Sequence, residues 1–236
     1  IYDKQKTTGA SGQFYFLAPG DRFNLKTREA ERPQPRGVPI DRVQKKPWKD
    51  LPGLTGVVEK AFVRPVHLGE TVLPYRTLEP RLAVLPISPS GDILAGTEAL
   101  EAYSDLSKWW HAAEDVWNQH RSSDRLTLGE QLDYQGKLRN QFPQYDQRIV
   151  YCASGMHLCA ARVLQRRALI EHSLYWAKAL HDEEAFFLCA ILNSAVVTKR
   201  VQPLMAYGKD ERHVDKYIWK LHIPMFDADD GAHTLL

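Results

Sequence analysis

The stretch "FFLCAILNSAVVTKR", residues 186–200, decides how the C-terminal half of the chain is read, because an apolar run with helical spacing is interrupted by Asn193-Ser194 and closed by Lys199-Arg200. On one continuous helix Phe186, Ala190, Asn193 and Val197 share a face by steps of four, three and four, which turns Asn193 inward with apolar neighbours. An amide in that position needs partners or costs about 1–3 kcal/mol. The spacing therefore predicts that Asn193 bonds the backbone of a neighbouring strand or loop and fixes the helix against it. Lys199 and Arg200 occupy the last turn, where cations complement the helix dipole.

Upstream, Asp182 begins this helix after three extended segments, "RIVYCAS" (148–154), "LCAARVL" (158–164) and "ALIEHSLYWAKAL" (168–180). Earlier still, "VVEKAFVRPV" (57–66), "TVLPYRT" (71–77) and "RLAVLPI" (81–87) are short β-branched or aromatic runs divided by Gly and Pro and read as strands, and "ISPSGDILA" (87–95) has hairpin-turn chemistry. Thr97 is placed to cap a helix running to about Asn118, with Leu100, Tyr103, Leu106, Trp110, Ala113 and Trp117 at three- and four-residue steps. Thr127 and Glu130 have capping-box spacing and open a second helix expected to reach about Asn140. Strands and helices alternate irregularly, so the expected fold is α+β, a mixed sheet with several packed helices, without the regular parallel crossovers of a Rossmann core.

Length and composition fit a globular protein: 236 residues, 44% hydrophobic and 25% charged, are enough for one large core or two small ones. No apolar run approaches the ~20 residues of a membrane-spanning helix, so no membrane partner is expected and the default compartment is the cytoplasm. Because the first residue is Ile1, the chain reads as part of a longer polypeptide. Residues 1–50 hold 11 Lys and Arg against 6 Asp and Glu, whereas the remainder holds 20 against 23. The basic surplus thus lies in an N-terminal arm, 1–50, that ends in the Pro-rich "RPQPRGVPIDRVQKKPWKDLP" (32–52) and reads as an extended linker, leaving 51–236 as the folded domain. Such an arm suits either phosphates or plain solvation. Cys152, Cys159 and Cys189 are an odd set in a chain too large to need disulfide staples; Cys152, His157 and Cys159 match no zinc spacing, and small buried cysteines are the expectation.

Catalytic signatures do not occur in these residues. Neither G-x-G-x-x-G nor G-x-x-x-x-G-K-[ST] is found, "GASG" (9–12) and "GLTG" (53–56) being the nearest approaches, and there is no G-x-S-x-G or H-E-x-x-H. Adjacent acids such as Glu183-Glu184 most simply complement a helix start.

The order "IVYCASG", "ALIEHSLYWAKAL", "EEAFFLCAILNS" and "RHVDKYIWKLHIPMFD" resembles the C-terminal target-recognition region of N6-adenine DNA methyltransferases of restriction-modification type, and the similarity extends upstream through "WKDLPGLTGVVEKAFVRPVHLGETVLPYR". The most specific parts are "LCAILNS" and the terminal "LHIPMFD". The resemblance implies a target-recognition-like fold at 51–236, double-stranded DNA as partner, and an S-adenosylmethionine-dependent catalytic domain N-terminal to it on the same polypeptide, with restriction or helicase subunits as further partners. The chain departs from the full family pattern: it contains no Pro-Pro dipeptide, hence no Asn/Asp-Pro-Pro-Tyr/Phe motif, and no Gly-rich cofactor loop. No cofactor is therefore expected in these residues, and methylation falls to the parent.

Phosphate-contacting candidates close the stretch 186–200, as Lys199 and Arg200, and continue beyond it with Lys209, Arg212, His213 and Lys216 around Gly208 in "YGKDERHVDKYIWK". Arg162, Arg166, Arg167, Lys137 and Arg139 could extend the same basic cleft or serve solubility. Trp109, Trp110, Trp117, Trp176 and Trp219 are expected in the core rather than as base-stacking platforms. A rival of another class is a protein-interaction module that docks the methyltransferase to a nuclease, helicase or second copy.

Overall fold

The computed structural model describes residues 15–16, 51, 54, 56–207, 212–214 and 217–236. The expected arm, 1–50, lies outside them apart from Tyr15–Phe16. In chain order the strands are β1 (Tyr15–Phe16), β2 (Val63–His67), β3 (Val72–Leu73), β4 (Arg76–Thr77), β5 (Arg81–Val84), β6 (Arg148–Cys152), β7 (Ala160–Arg162), β8 (Leu169–Ile170), β9 (Leu174–Lys178), β10 (Ala206–Tyr207) and β11 (Arg212–His213). The helices are α1 (Ser104–His120), α2 (Leu128–Leu132), α3 (Asp182–Leu192), α4 (Ala195–Val201) and α5 (Gly231–Thr234), with single 3-10 turns between elements. The protein is a mixed α+β structure that divides into two compact units.

One unit comprises Arg81–Gln135 and the described part of Gly12–Pro65. Here β1 pairs antiparallel with β5. Helix α1 buries Leu106, Trp109, Trp110, Ala113 and Trp117 along one side, the stripe its spacing predicts. It starts at Ser104 rather than at Thr97, whose hydroxyl donates instead to the Leu94 carbonyl at 2.8 Å. The orphan amides of the first turn are met from outside the helix: the Glu59 carboxylate accepts from Leu106 N at 2.9 Å and from Asp105 N at 3.4 Å. The Thr127–Glu130 capping box is formed in both directions. Helix α2 nevertheless stops at Leu132, well short of Asn140, because Gln135 (φ 58°) and Gly136 (φ 70°) turn into left-handed backbone that a right-handed helix cannot absorb. The expected hairpin turn is present, with Ile87 bridged to Ile93 and Gly91 at φ 100°.

The other unit comprises Val66–Pro80 and Gly136–Leu236. Its centre is the antiparallel sheet β7-β6-β9, in which Val150 faces Ala161 on one side and Trp176 on the other. Both faces are covered. Ile149, Tyr151, Ala160 and Ala177 pack under α3 and α4, whereas Val150, Ala161, Leu174 and Trp176 pack with Val72, Ala168 and Ile170. This two-sided burial explains why "RIVYC" reads as a continuous apolar run rather than an alternating one. The expected single segment 168–180 is split, because the Glu171 carboxylate accepts from the Ser173 amide and hydroxyl (3.0 and 2.6 Å) and turns the chain between β8 and β9. β8 runs parallel to the end of β2, with Val66 beside Leu169 and His67 beside Ile170. β3 and β4 form a hairpin whose corner is Tyr75, at φ 68°.

The quoted stretch is two helices, not one. Asn193 ends α3, and Ser194 caps α4 by accepting from Val197 N at 3.2 Å. The break resets the helical register, so Phe186 is exposed while Val197 is buried, and the face expected of an unbroken helix does not exist. The five tryptophans singled out above are all buried. Among the described residues no helix is long and apolar enough to cross a membrane.

Candidate nucleic-acid interface

Two side-chain amides hold the scaffold behind the basic segment. Asn193 accepts from Ala160 N at 2.9 Å and donates through Nδ2 to the Ala160 carbonyl at 2.8 Å and the Cys189 carbonyl at 2.7 Å. Gln141, fully buried, repeats the pattern on β8, accepting from Ile170 N at 2.8 Å and donating to the Ile170 carbonyl at 3.0 Å. In both cases the amide supplies the donor and acceptor that a further strand would supply to an edge. Ser194 then starts α4, and Thr198 Oγ1 accepts from Leu158 N at 3.3 Å, tying this helix to the β6–β7 loop.

Helix α4 turns Val197, Thr198 and Val201 inward and leaves Lys199 and Arg200 exposed in its last turn. A 3-10 turn, Gln202–Leu204, continues directly into β10. β10 and β11 pair antiparallel, Ala206 with His213 and Tyr207 with Arg212. The hairpin is seated in the core at both ends, by Met205 before it and by Val214, Ile218 and Trp219 after it. Val214 N donates to the Ala153 carbonyl at 2.8 Å and Ser154 bridges to His213, so β11 is held by the β6–β7 loop. Trp219 Nε1 donates to the Tyr151 hydroxyl at 3.0 Å, and the Tyr151 ring stacks on Tyr175.

Of the six expected contact residues, then, Lys199 and Arg200 are exposed, the Arg212 backbone lies in β11, and His213 is half-buried beside Ser154. Lys209 and Lys216 lie outside the described residues. Two of the further arginines are engaged elsewhere. Arg162 pairs with Asp182 at 2.5 Å and lies 4.2 Å over the Phe186 ring, and Arg166 pairs with Asp146 at 3.0 Å.

Sequence reasoning missed a buried polar pair on the opposite side of the same sheet. Arg148, 1% exposed, donates to the carbonyls of Gln165 (3.2 Å) and Arg166 (2.7 Å), and burial lowers its pKa to about 10. His67, equally buried, is driven down to about 4, first by burial and then by the Arg148 charge. Thr71 Oγ1 donates its hydrogen to the Leu68 carbonyl, so His67 Nδ1 is the donor in their 3.0 Å contact and Nε2 carries the lone pair. Nothing in "RIVYC" marks Arg148 as buried, since its environment comes from the 165–166 turn rather than from its own strand. Gln141 gave no signal either, sitting in a polar run where a helix was expected to have just ended.

Among the described residues no group of three or more His, Cys, Asp or Glu is placed to hold a metal ion. The chain matches no protein-family model. A search of curated proteins likewise gives no match.

Proposed function

We propose that this chain is the DNA-reading region of an N6-adenine DNA methyltransferase of a restriction-modification or phage-defence system: a cytoplasmic target-recognition domain, 51–236, behind a basic arm, 1–50. The observation that carries the reading is the exposed pair Lys199 and Arg200 on a helix whose buried side shares one core with both ends of the β10–β11 hairpin. Cations on a rigid support can take fixed positions against phosphates, and the chain that follows carries the further candidates Lys209, Arg212, His213 and Lys216. The motif order quoted above supplies the family, and with it double-stranded DNA and an N-terminal catalytic domain as partners.

S-adenosylmethionine belongs to the parent in this reading. These residues contain neither the Asn/Asp-Pro-Pro-Tyr/Phe motif nor a Gly-rich cofactor loop, so they do not fit the cofactor and no step of methyl transfer is assigned to them.

The test is fluorescence anisotropy of the protein with duplex DNA across a salt series. Affinity is expected to fall steeply and linearly on a log-log plot, and more weakly for Lys209→Ala with Arg212→Ala. A flat salt response sinks the phosphate-gripping role. The exposed apolar side chains Phe186 and Val196 favour the second reading, a module docking a nuclease, helicase or second copy. DNA-independent capture of such a partner, lost when those two are made polar, would put that reading first.

A further inference from the structure

Cys152 and Cys159 stand directly opposite each other across the β6–β7 pair. Tyr151 faces Ala160, and the next pair outward is joined by Cys152 N donating to the Cys159 carbonyl at 3.1 Å. Directly opposed residues in an antiparallel pair present their side chains on the same face, and in a hydrogen-bonded pair the Cα atoms are about 5.5 Å apart. That separation falls inside the roughly 4.4–6.8 Å range that a disulfide spans without moving backbone. Both residues are free thiols and neither is fully buried, whereas the third cysteine, Cys189, is buried in α3. The Cys152 thiol points toward the Gly69 carbonyl (3.9 Å) and the Cys159 thiol toward the Val72 carbonyl (3.5 Å), so the pair sits between the sheet and the segment 69–72.

We propose that Cys152 and Cys159 are a peroxide-responsive redox site that closes reversibly to a cross-strand disulfide and clamps the loop on which β11 is held. The two thiols are not equivalent. Hydrogen bonding from Cys152 holds the Cys159 thiol below the usual cysteine range, while Cys159, and after it burial, pushes Cys152 up. Either sulfur of the opposed pair can be oxidised first and resolved by the other, as when Cys159 takes the oxygen. The Cys159 thiolate attacks one oxygen of hydrogen peroxide, the O–O bond breaks, and a sulfenic acid forms with loss of water. The Cys152 sulfur then attacks the Cys159 sulfur, the S–O bond breaks, and a second water leaves with the Cys152 proton. Two thiols are oxidised by two electrons, one peroxide is reduced to two waters, and an added dithiol reverses the change.

The bond would close residues 153–158 into a ring. That loop provides the Ala153 carbonyl for Val214 N, the bridge from Ser154 to His213, and the Leu158 amide for Thr198 of α4. Oxidation therefore braces the support of β11. The site stands on the cysteine pair alone and does not depend on the chain reading DNA.

The experiment is a peroxide titration of the full chain, followed by alkylation of free thiols and peptide mapping without reductant. A linked peptide joining Cys152 to Cys159 within one chain is expected, with Cys189 still alkylated and the link removed by dithiothreitol. The proposal is overturned if both cysteines stay alkylatable, or if the link involves Cys189 or a second chain. Hydrogen exchange on the same samples should show the Val214 amide exchanging several-fold more slowly after oxidation, and an unchanged rate would remove the bracing role. A sulfenic-acid-trapping dione should label the remaining thiol of the pair in Cys152→Ser or in Cys159→Ser; labelling in neither variant would overturn the sulfenic route.

Discussion

Asn193 stands to Ala160 as a neighbouring strand would, accepting its amide at 2.9 Å and donating to its carbonyl at 2.8 Å. The reason lies in strand geometry. Residues of β7 that face β6 spend their backbone groups on it, whereas Ala160, in the intervening pair with Tyr151, turns N–H and C=O outward to an open edge. Ile170 has the same problem on β8, since β2 takes the groups pointing its way, and Gln141 solves it with the same chemistry. At both edges a side chain takes the outward amide, and at Ala160 the Tyr75 amide shares the carbonyl at 2.9 Å.

Asn193→Ala should lower unfolding free energy by about 1–3 kcal/mol, because it strands the Ala160 amide, whereas the Ala160 and Cys189 carbonyls keep the backbone donors of Tyr75 and residue 193. Asn193→Asp should do no better at neutral pH, since a carboxylate keeps the acceptor but faces two carbonyls with no donor. Urea denaturation of both variants measures the loss, and a change below half a kilocalorie would mean that water replaces the amide without cost.

Ser194→Ala should cost about 1 kcal/mol by removing the cap that accepts from Val197 N, and Ser194→Asp should retain most of it. The comparison separates capping from volume, because Asp is the larger side chain. Equal midpoints for Ser194→Ala and the parent would show that α4 is held by its buried side alone.

Periodicity made much of this legible. The Trp stripe of α1, the strand beginning at Arg148 and the capping box at Thr127 depend on neighbours a few residues away, and they appear where the pattern places them, whereas the runs 71–77 and 168–180 are each broken into two short strands. Asn193 was readable as a lock because an amide in an apolar run must find partners. That it also ends a helix was not readable from the spacing, since Ala190 and Val197 suit a continuous face equally well. Boundaries fixed by distant groups were hidden for the same reason. Glu59 is far in sequence from the amides it caps, and His67 and Arg148 take their burial from segments that share no local pattern with them.

His67 should make stability fall with acid. Its pKa lies near 4 in the fold against about 6.5 in the unfolded chain, so between those values the unfolded chain binds the extra proton. The stabilisation of the neutral ring is full above about pH 6.5, is lost progressively as pH falls toward 4, and amounts to roughly 3 kcal/mol. Urea midpoints for the parent and His67→Gln, taken at intervals across that range, should converge as pH falls. Parallel lines would show that His67 is not the group responsible.

Charge reversal at the end of α4 tests the interface without touching the core. Lys199 and Arg200 are exposed there, so Lys199→Glu with Arg200→Glu should change thermal stability little, the main penalty being an acid at a helix C-terminus, about 0.3–1 kcal/mol per residue. If both cations meet phosphates, the variant should bind duplex DNA more weakly whatever its sequence, and its log-affinity against log-salt slope should be shallower by about two. Anisotropy at several salt concentrations reads both quantities. A weaker variant with an unchanged slope would point to loss of a base-edge or shape contact instead, and unchanged affinity would take α4 out of the interface and leave the β10–β11 hairpin to carry it.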